Sequence, residues 1–296
     1  MSIRTESEAR YLYVPPSNCT QAADRLGWED TRTYRAGPWD LGIRANTKAT
    51  SQIVQRLLPD IARPELRGAS ANLSVAFDDN LLSRGTPEVM QLLFLKCKPV
   101  LKTRNPRRVL EALLAWLDSF EHESRTDYVV IESVALIHEQ QAFLVTPGLT
   151  RAVGAARRRL SQAGFVAVDG PTLLLDTARG EVVVEPPATA HDRSVLAEVA
   201  RDVDPSDRAA AVGRYPVEAV LTRLHQPAGT RLGPARGVYG LGMNVFNRHA
   251  LGPQGALDRL ATFAQQVPIL AGGVRDEVVD RVVAMAGGSA PAHTTE

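Results

Sequence analysis

The sequence predicts an α/β protein in which a small α+β domain precedes a larger α/β domain, and three observations carry that expectation. Apolar residues recur at helical spacing after Asn105-Pro106. Apolar runs broken by turn residues succeed one another from residue 128. Within that part, strand, glycine-containing turn, helix and strand follow in the order of a phosphate-binding α/β unit. At 296 residues, 44% of them hydrophobic, the chain can bury one large core or two modest ones.

In the N-terminal third, residues 11–14 read as a strand ended by Pro15-Pro16, and residues 39–44 and 73–77 alternate apolar and polar side chains as half-buried strands do. Between them Ile53, Leu57, Leu58 and Ile61 recur at helical spacing, limited by Pro59 and Pro64. Asn105 is an N-cap side chain followed by Pro106 at the first helical position, where a missing N–H costs nothing. Leu110, Leu113, Leu114, Leu117 and Phe120 then form one apolar stripe, and the polar segment 121–127 ends the helix. A domain boundary is expected there: residues 1–127 as the α+β domain, 128–286 as the α/β domain, and 287–296, small and polar, as a disordered tail.

The second domain opens with apolar runs at 128–137 and 142–146, separated by His138-Glu139-Gln140-Gln141, which reads as a hairpin. Pro147-Gly148 breaks the second strand, and residues 150–163 read as one helix. Strands are expected at 165–168, 172–175 and 181–185, a polar segment after Pro186-Pro187, and a strand at 217–224. Residues 229–242, rich in glycine and arginine, read as a long loop, and helices at 255–266 and 274–286 complete the domain.

Composition narrows the function classes. A net charge of +1 with 23% charged residues excludes a charge-driven disordered chain and lacks the basic surplus of a nucleic-acid binder. Cys19 and Cys97 are too few for a disulfide framework, the first residues are polar and acidic, and no stretch approaches eighteen uninterrupted apolar residues. A cytoplasmic protein without a membrane partner is expected. Of the 34 basic residues only Lys48, Lys96, Lys98 and Lys102 are lysines, so no lysine occurs after residue 102.

That last point bears on the glycine-containing turn. A phosphate loop needs glycines that let backbone N–H groups converge, a lysine for the β and γ phosphates, and a hydroxyl that holds magnesium. The turn here, residues 146–156, keeps Gly148 and Gly154 but has no lysine and is read as having no hydroxyl at the helix start. Bulky Leu149 and Val153 stand where glycine normally lets the backbone approach. Gly148, Thr150, Arg151 and Gly154 are therefore candidate residues of a degenerate phosphate loop. Arg157, Arg158 and Arg159 fan over roughly 200° of helix surface, so only one or two of them can serve a common site.

Gly164-Phe165, Leu173-Leu174-Leu175-Asp176 and Arg214-Tyr215-Pro216-Val217 follow a strand pair at 134–145 that runs into Pro147-Gly148. In that order and approximate spacing, residues from about 128 to 270 resemble the kinase domain of HPr kinase/phosphorylase and its smaller relatives, a P-loop, phosphoenolpyruvate-carboxykinase-like fold. Ala71-Asn72-Leu73-Ser74-Val75 and the helix from Pro106 resemble the small N-terminal part of those relatives. The departures fall on the chemistry. The loop lysine lands on Val153 or Gly154, the acidic pair on Gly170-Pro171 with only Asp169 beside it, and the histidine of the preceding strand near Glu132. Loss of one charge stabiliser costs phosphoryl transfer about 10³ to 10⁵ in rate, so loss of several together implies a pseudokinase.

The resemblance thus implies a protein that binds or regulates a protein or peptide partner in a bacterial peptide-modification or natural-product pathway, with no cofactor. Self-association is also implied, since family relatives are oligomers. The alternative is an enzyme that reuses the cleft, either an ATP- and magnesium-dependent kinase with arginine phosphate contacts or a different reaction on a peptide. Glu132 would then be the base, Asp169 a metal or water ligand, and Arg151 a phosphate contact. Arg157, Arg231, Arg236 and Arg248 are candidate substrate or partner contacts, the last three as a basic rim. The six histidines are scattered with no metal-binding pair, so no metal site is expected. Residues 237–242 have the wrong spacing for a dinucleotide fingerprint. Trp28, Trp39 and Trp116 are expected to be buried in the N-terminal domain.

Overall fold

The computed structural model describes residues 26–63, 71–77, 90–168, 170–186, 188–189, 191–199, 211–223, 226–273 and 275–287. The strand expected at 11–14, Cys19, Asp169 and the tail after residue 287 lie outside the described residues. In chain order the elements are β1 (Asp30–Ala36), β2 (Trp39–Ala45), α1 (Lys48–Leu57), β3 (Ala71–Ala76), β4 (Gln91–Leu95), β5 (Lys98–Thr103) and α2 (Pro106–His122). Next come β6 (Val129–Ile131), β7 (Val134–His138), β8 (Gln141–Val145), α3 (Thr150–Ala155), α4 (Arg157–Gln162), β9 (Phe165–Val168), β10 (Leu173–Asp176), β11 (Glu181–Val184) and α5 (Arg193–Val199). The chain ends with β12 (Gly213–Thr222), α6 (Pro234–Gly242), α7 (Arg248–Leu251), α8 (Pro253–Gln266), β13 (Ile269–Ala271) and α9 (Arg275–Ala286). Two units emerge, Met1–Glu121 with Pro187–Asp204, and His122–Pro186 with Pro205–Glu296.

The first unit carries a mixed sheet in the order β1-β2-β3-β4-β5, antiparallel except for the β2–β3 pair. A parallel pair needs a crossover helix, and α1 supplies it, started by the Thr47 hydroxyl accepting from Thr50 N–H. Asn105 Oδ1 accepts from Arg107 N–H at 3.1 Å, the cap expected for α2, and the stripe from Leu110 to Phe120 is fully buried against Ile43, Leu73 and Leu93. Trp39 and Trp116 pack against this core, and Trp28 meets Phe94 edge-on with the Arg44 guanidinium 4.4 Å from its ring centre. The polar segment expected after Pro187 contains α5, whose Val195, Leu196 and Val199 enter the same core. Asp192 fixes that helix, donating its N–H to Leu57 O and accepting from Ser194 N–H.

The second unit is built on a larger mixed sheet in the order β6-β10-β11-β12-β8-β7-β9, with β13 also on β12. The long strand β12 pairs antiparallel with β11 through Gly213–Pro216 and, further along, parallel with β8 and β13. One face of the sheet packs Leu232, Leu241, Leu260 and Phe263; another cluster joins Leu149, Val153 and Leu160 to Val278, Val279 and Val282.

Three expectations are corrected here. The run 128–137 is two strands, because β6 pairs with β10 while β7 pairs with β8 and β9, and between them Glu132 N–H turns to Asn244 O. The single helix at 150–163 breaks at Ala156 (φ −98, ψ 11) into α3 and α4. Residues 229–242 are not a long loop, since α6 occupies most of them. Pro234 starts it, and Gly237 faces the sheet so closely that a Cβ there would lie 2.7 Å from Ile269 Cδ1. Glycine reads as loop in sequence and acts here as a contact surface.

Candidate functional site

The parallel strands β8, β12 and β13 end together, with Val145 beside Leu221 and Thr222 beside Ala271. The crevice beyond the carboxyl ends of such strands is where α/β sheets bind ligands. The glycine-containing turn leaves β8 at this edge. Thr146 N–H donates to Leu221 O, and Gly272 N–H donates to Thr222 O, so the three strand ends are tied to one another.

The turn itself is closed. Pro147–Leu149 forms a 3₁₀ turn, and Leu149 N–H returns to Thr146 O at 3.0 Å. The Thr150 hydroxyl donates to Pro147 O at 3.0 Å. Leu149 is 2% exposed and fills the place where a Cβ on Gly272 would stand, joined in its cluster by Ala152 and Val153. The stem of Arg223, just past β12, runs along Gly148, where a Cβ would stand 2.6 Å from its Cδ. A P-loop uses its glycine to admit a phosphate, whereas Gly148 admits an arginine side chain. At Gly154 a Cβ would point into open space.

Of the other candidates, Arg151 is exposed, Arg157 is half-buried on α4, and Glu132 is half-buried between β6 and β7. The Ser133 hydroxyl next to Glu132 donates to Val145 O at 3.0 Å, which sets this bend against the end of β8. Asp169 lies outside the described residues. Arg231, Arg236 and Arg248 are all exposed, on the strand-like bridge to Leu270, on α6 and on α7 respectively. Among the described residues none of these three, nor Arg151 or Arg223, takes part in an ion pair. No group of three or more metal-ligating side chains occurs among the described residues. No helix among them is long and apolar enough to cross a membrane.

A second polar cluster, unforeseen from the sequence, holds the opposite part of the sheet. Arg214 Nη1 donates to Asp176 at 3.0 Å and to Glu181 at 3.3 Å, and its Nη2 to the Tyr128 hydroxyl at 2.7 Å. These hydrogen bonds raise the Arg214 pKa, Asp176 first and Glu181 second. Arg125 bridges Asp127 and Glu185 at 2.6 Å each and lies 4.7 Å from the Tyr128 ring centre. The Arg125 hydrogen bond is the main reason the Asp127 carboxyl is held below its ordinary value of 3.8. Asn247, with no exposed surface, donates to Arg125 O at 2.7 Å and Tyr128 O at 2.9 Å and accepts from Val130 N–H at 2.9 Å. Asp176 and Arg214, which close the motifs Leu173-Leu174-Leu175-Asp176 and begin Arg214-Tyr215-Pro216-Val217, thus touch each other. No period or spacing announces such a pairing, because the partners are 38 residues apart.

Compared with known proteins, the chain matches no family model and no curated protein.

Proposed function

We propose that this chain is an HPr-kinase-like pseudokinase of the bacterial cytoplasm that acts as a binding or regulatory partner of a protein or peptide in a peptide-modification or natural-product pathway. One observation carries the reading: the turn after β8 is closed by its own residues. Leu149 is packed into the core, and the Thr150 hydroxyl, which does stand at the helix start, is engaged by Pro147 O. Arg223 occupies the approach to Gly148. A magnesium nucleotide needs a lysine, a free hydroxyl and converging N–H groups at this place. The residues present do not fit it, and the chain has no lysine after residue 102 to lend one.

Thermal unfolding with and without Mg-ATP, and separately Mg-GTP, tests the reading. Ligand at 100 times its dissociation constant stabilises a protein by about 2.7 kcal/mol, a shift easily resolved. No shift is expected with either nucleotide. A clear shift overturns the pseudokinase and favours the enzyme that uses Arg151, Glu132 and Asp169, which Arg151→Ala and Asp169→Ala then check by activity.

A further inference from the structure

From residue 219 to residue 257 the chain contains no aspartate or glutamate, although it has 33 such residues in all. This acid-free stretch includes α6 and α7 and the start of α8, and its arginines 231, 236 and 248 are exposed without ion pairs among the described residues. The same stretch holds three large apolar side chains that stand in solvent: Tyr239 is 66% exposed, Met243 69% and Leu257 46%. At 100° per residue Arg236 and Tyr239 of α6 and Met243, the helical cap residue just past its end, fall within about 60° of one another, opposite Gly237 and Leu241, which face the sheet. Leu257 lies one turn before Leu260 of α8, and Leu260 shares a core cluster with Leu241 of α6, so the two helices are neighbours.

An exposed aromatic and a methionine beside an arginine are the residue types enriched in protein interfaces, and bare guanidiniums without acids favour a partner of opposite sign. We infer that the outer face of α6, with the start of α8 beside it, docks an acidic peptide segment whose apolar side chains cover Tyr239, Met243 and Leu257 while its carboxylates pair with Arg231, Arg236 and Arg248. The inference rests on the reading that the chain works by binding, and it names the surface and the chemistry of the partner. An anionic lipid surface is the weaker match. The nine residues of α6 spend their inner face on the sheet, too little apolar surface for an interfacial helix, and Asp258 stands exposed next to Leu257.

A displayed random-peptide library selected on the full chain tests this. Enriched peptides are expected to carry net negative charge interleaved with apolar residues and to bind more weakly as salt rises. Their affinity is expected to fall about tenfold or more with Arg236→Glu and with Tyr239→Ser combined with Met243→Ser. Both variants change exposed side chains, so unchanged thermal midpoints certify that they fold. Neutral or basic enriched peptides, no enrichment at all, or affinity unchanged in both variants would each overturn the inference. So would binding of the chain to vesicles of mixed phosphatidylserine and phosphatidylcholine in place of any peptide. The nucleotide measurement reads a different surface, so failure here leaves the pseudokinase standing, and a nucleotide shift leaves the docking face standing.

Discussion

Arg125 and Arg214 are the same residue type as Arg231, Arg236 and Arg248, yet their surroundings are opposite. The first two are locked between carboxylates and the Tyr128 ring, next to the buried Asn247. The other three stand in solvent on a stretch that carries no acid. A guanidinium whose donors are taken up by the chain's own acceptors contributes order, and one that leaves them open is available to a partner. The contrast separates arginines that hold the protein together from arginines that it presents, a distinction that the abundance of arginine in this chain conceals.

Substitutions test that contrast, beginning with the closed cluster. Asn247→Ala removes a side chain with no exposed surface and strands two part-buried carbonyls and one buried N–H, and chemical denaturation is expected to show a loss of about 2 to 4 kcal/mol. A loss below about 1 kcal/mol would mean that water enters and that the cluster is not closed. Gly237→Val presses a side chain onto Ile269 and is expected to cost about 1 to 3 kcal/mol, because α6 has to move off the sheet. Arg214→Met removes a largely exposed network and is expected to lower the denaturation midpoint only slightly, more at low salt than at high. Arg236→Ala and Arg248→Ala are expected to change stability by less than about 0.5 kcal/mol. If they cost as much as Arg214→Met, the two groups of arginines are not different in kind.

The smallest effect lies in acid. Asp127 is depressed by Arg125, so its contribution is present above the ordinary value of 3.8 and is lost as pH falls through the depressed folded value. Thermal midpoints between neutral pH and strong acid are expected to fall less steeply in Arg125→Gln than in the unchanged chain at the acid end. In the first unit the linkage runs the other way. Burial pushes Tyr34 up to about 12, so its share of stability is full below pH 10 and disappears as pH rises toward 12.

Much of the fold was legible wherever its cause is local. The Asn105-Pro106 start and the stripe from Leu110 to Phe120 mark α2, because capping and helical period act over a few residues. The turn Glu139-Gln140 marks the β7–β8 hairpin, and Glu139 takes the left-handed conformation (φ 52) that such tight turns demand. Illegible were β13, three residues long, and α5, whose short apolar face is explained only by the core of the first unit. Strands β1, β4 and β5 were also not marked. Of the candidate site, the lack of lysine and the bulk of Leu149 were visible in the residues, but Arg223, Ser133 and Asn247 were not, since each acts through a backbone or a side chain far along the chain.

By itself the sequence determined the α/β succession, the locally capped elements and the absence of lysine from the phosphate-like turn. Only the tertiary structure decided what the glycines and arginines of the second unit do. Gly148 rather than holding a phosphate accommodates Arg223, and Gly237 rather than loosening a loop lets a helix press on Ile269. Arg214 finds its carboxylates while Arg236 is left without them among the described residues. The physical reason is range. Helical period, capping and turn chemistry are set by neighbours in sequence, whereas close backbone approach and charge pairing depend on residues that the chain brings together only when it folds.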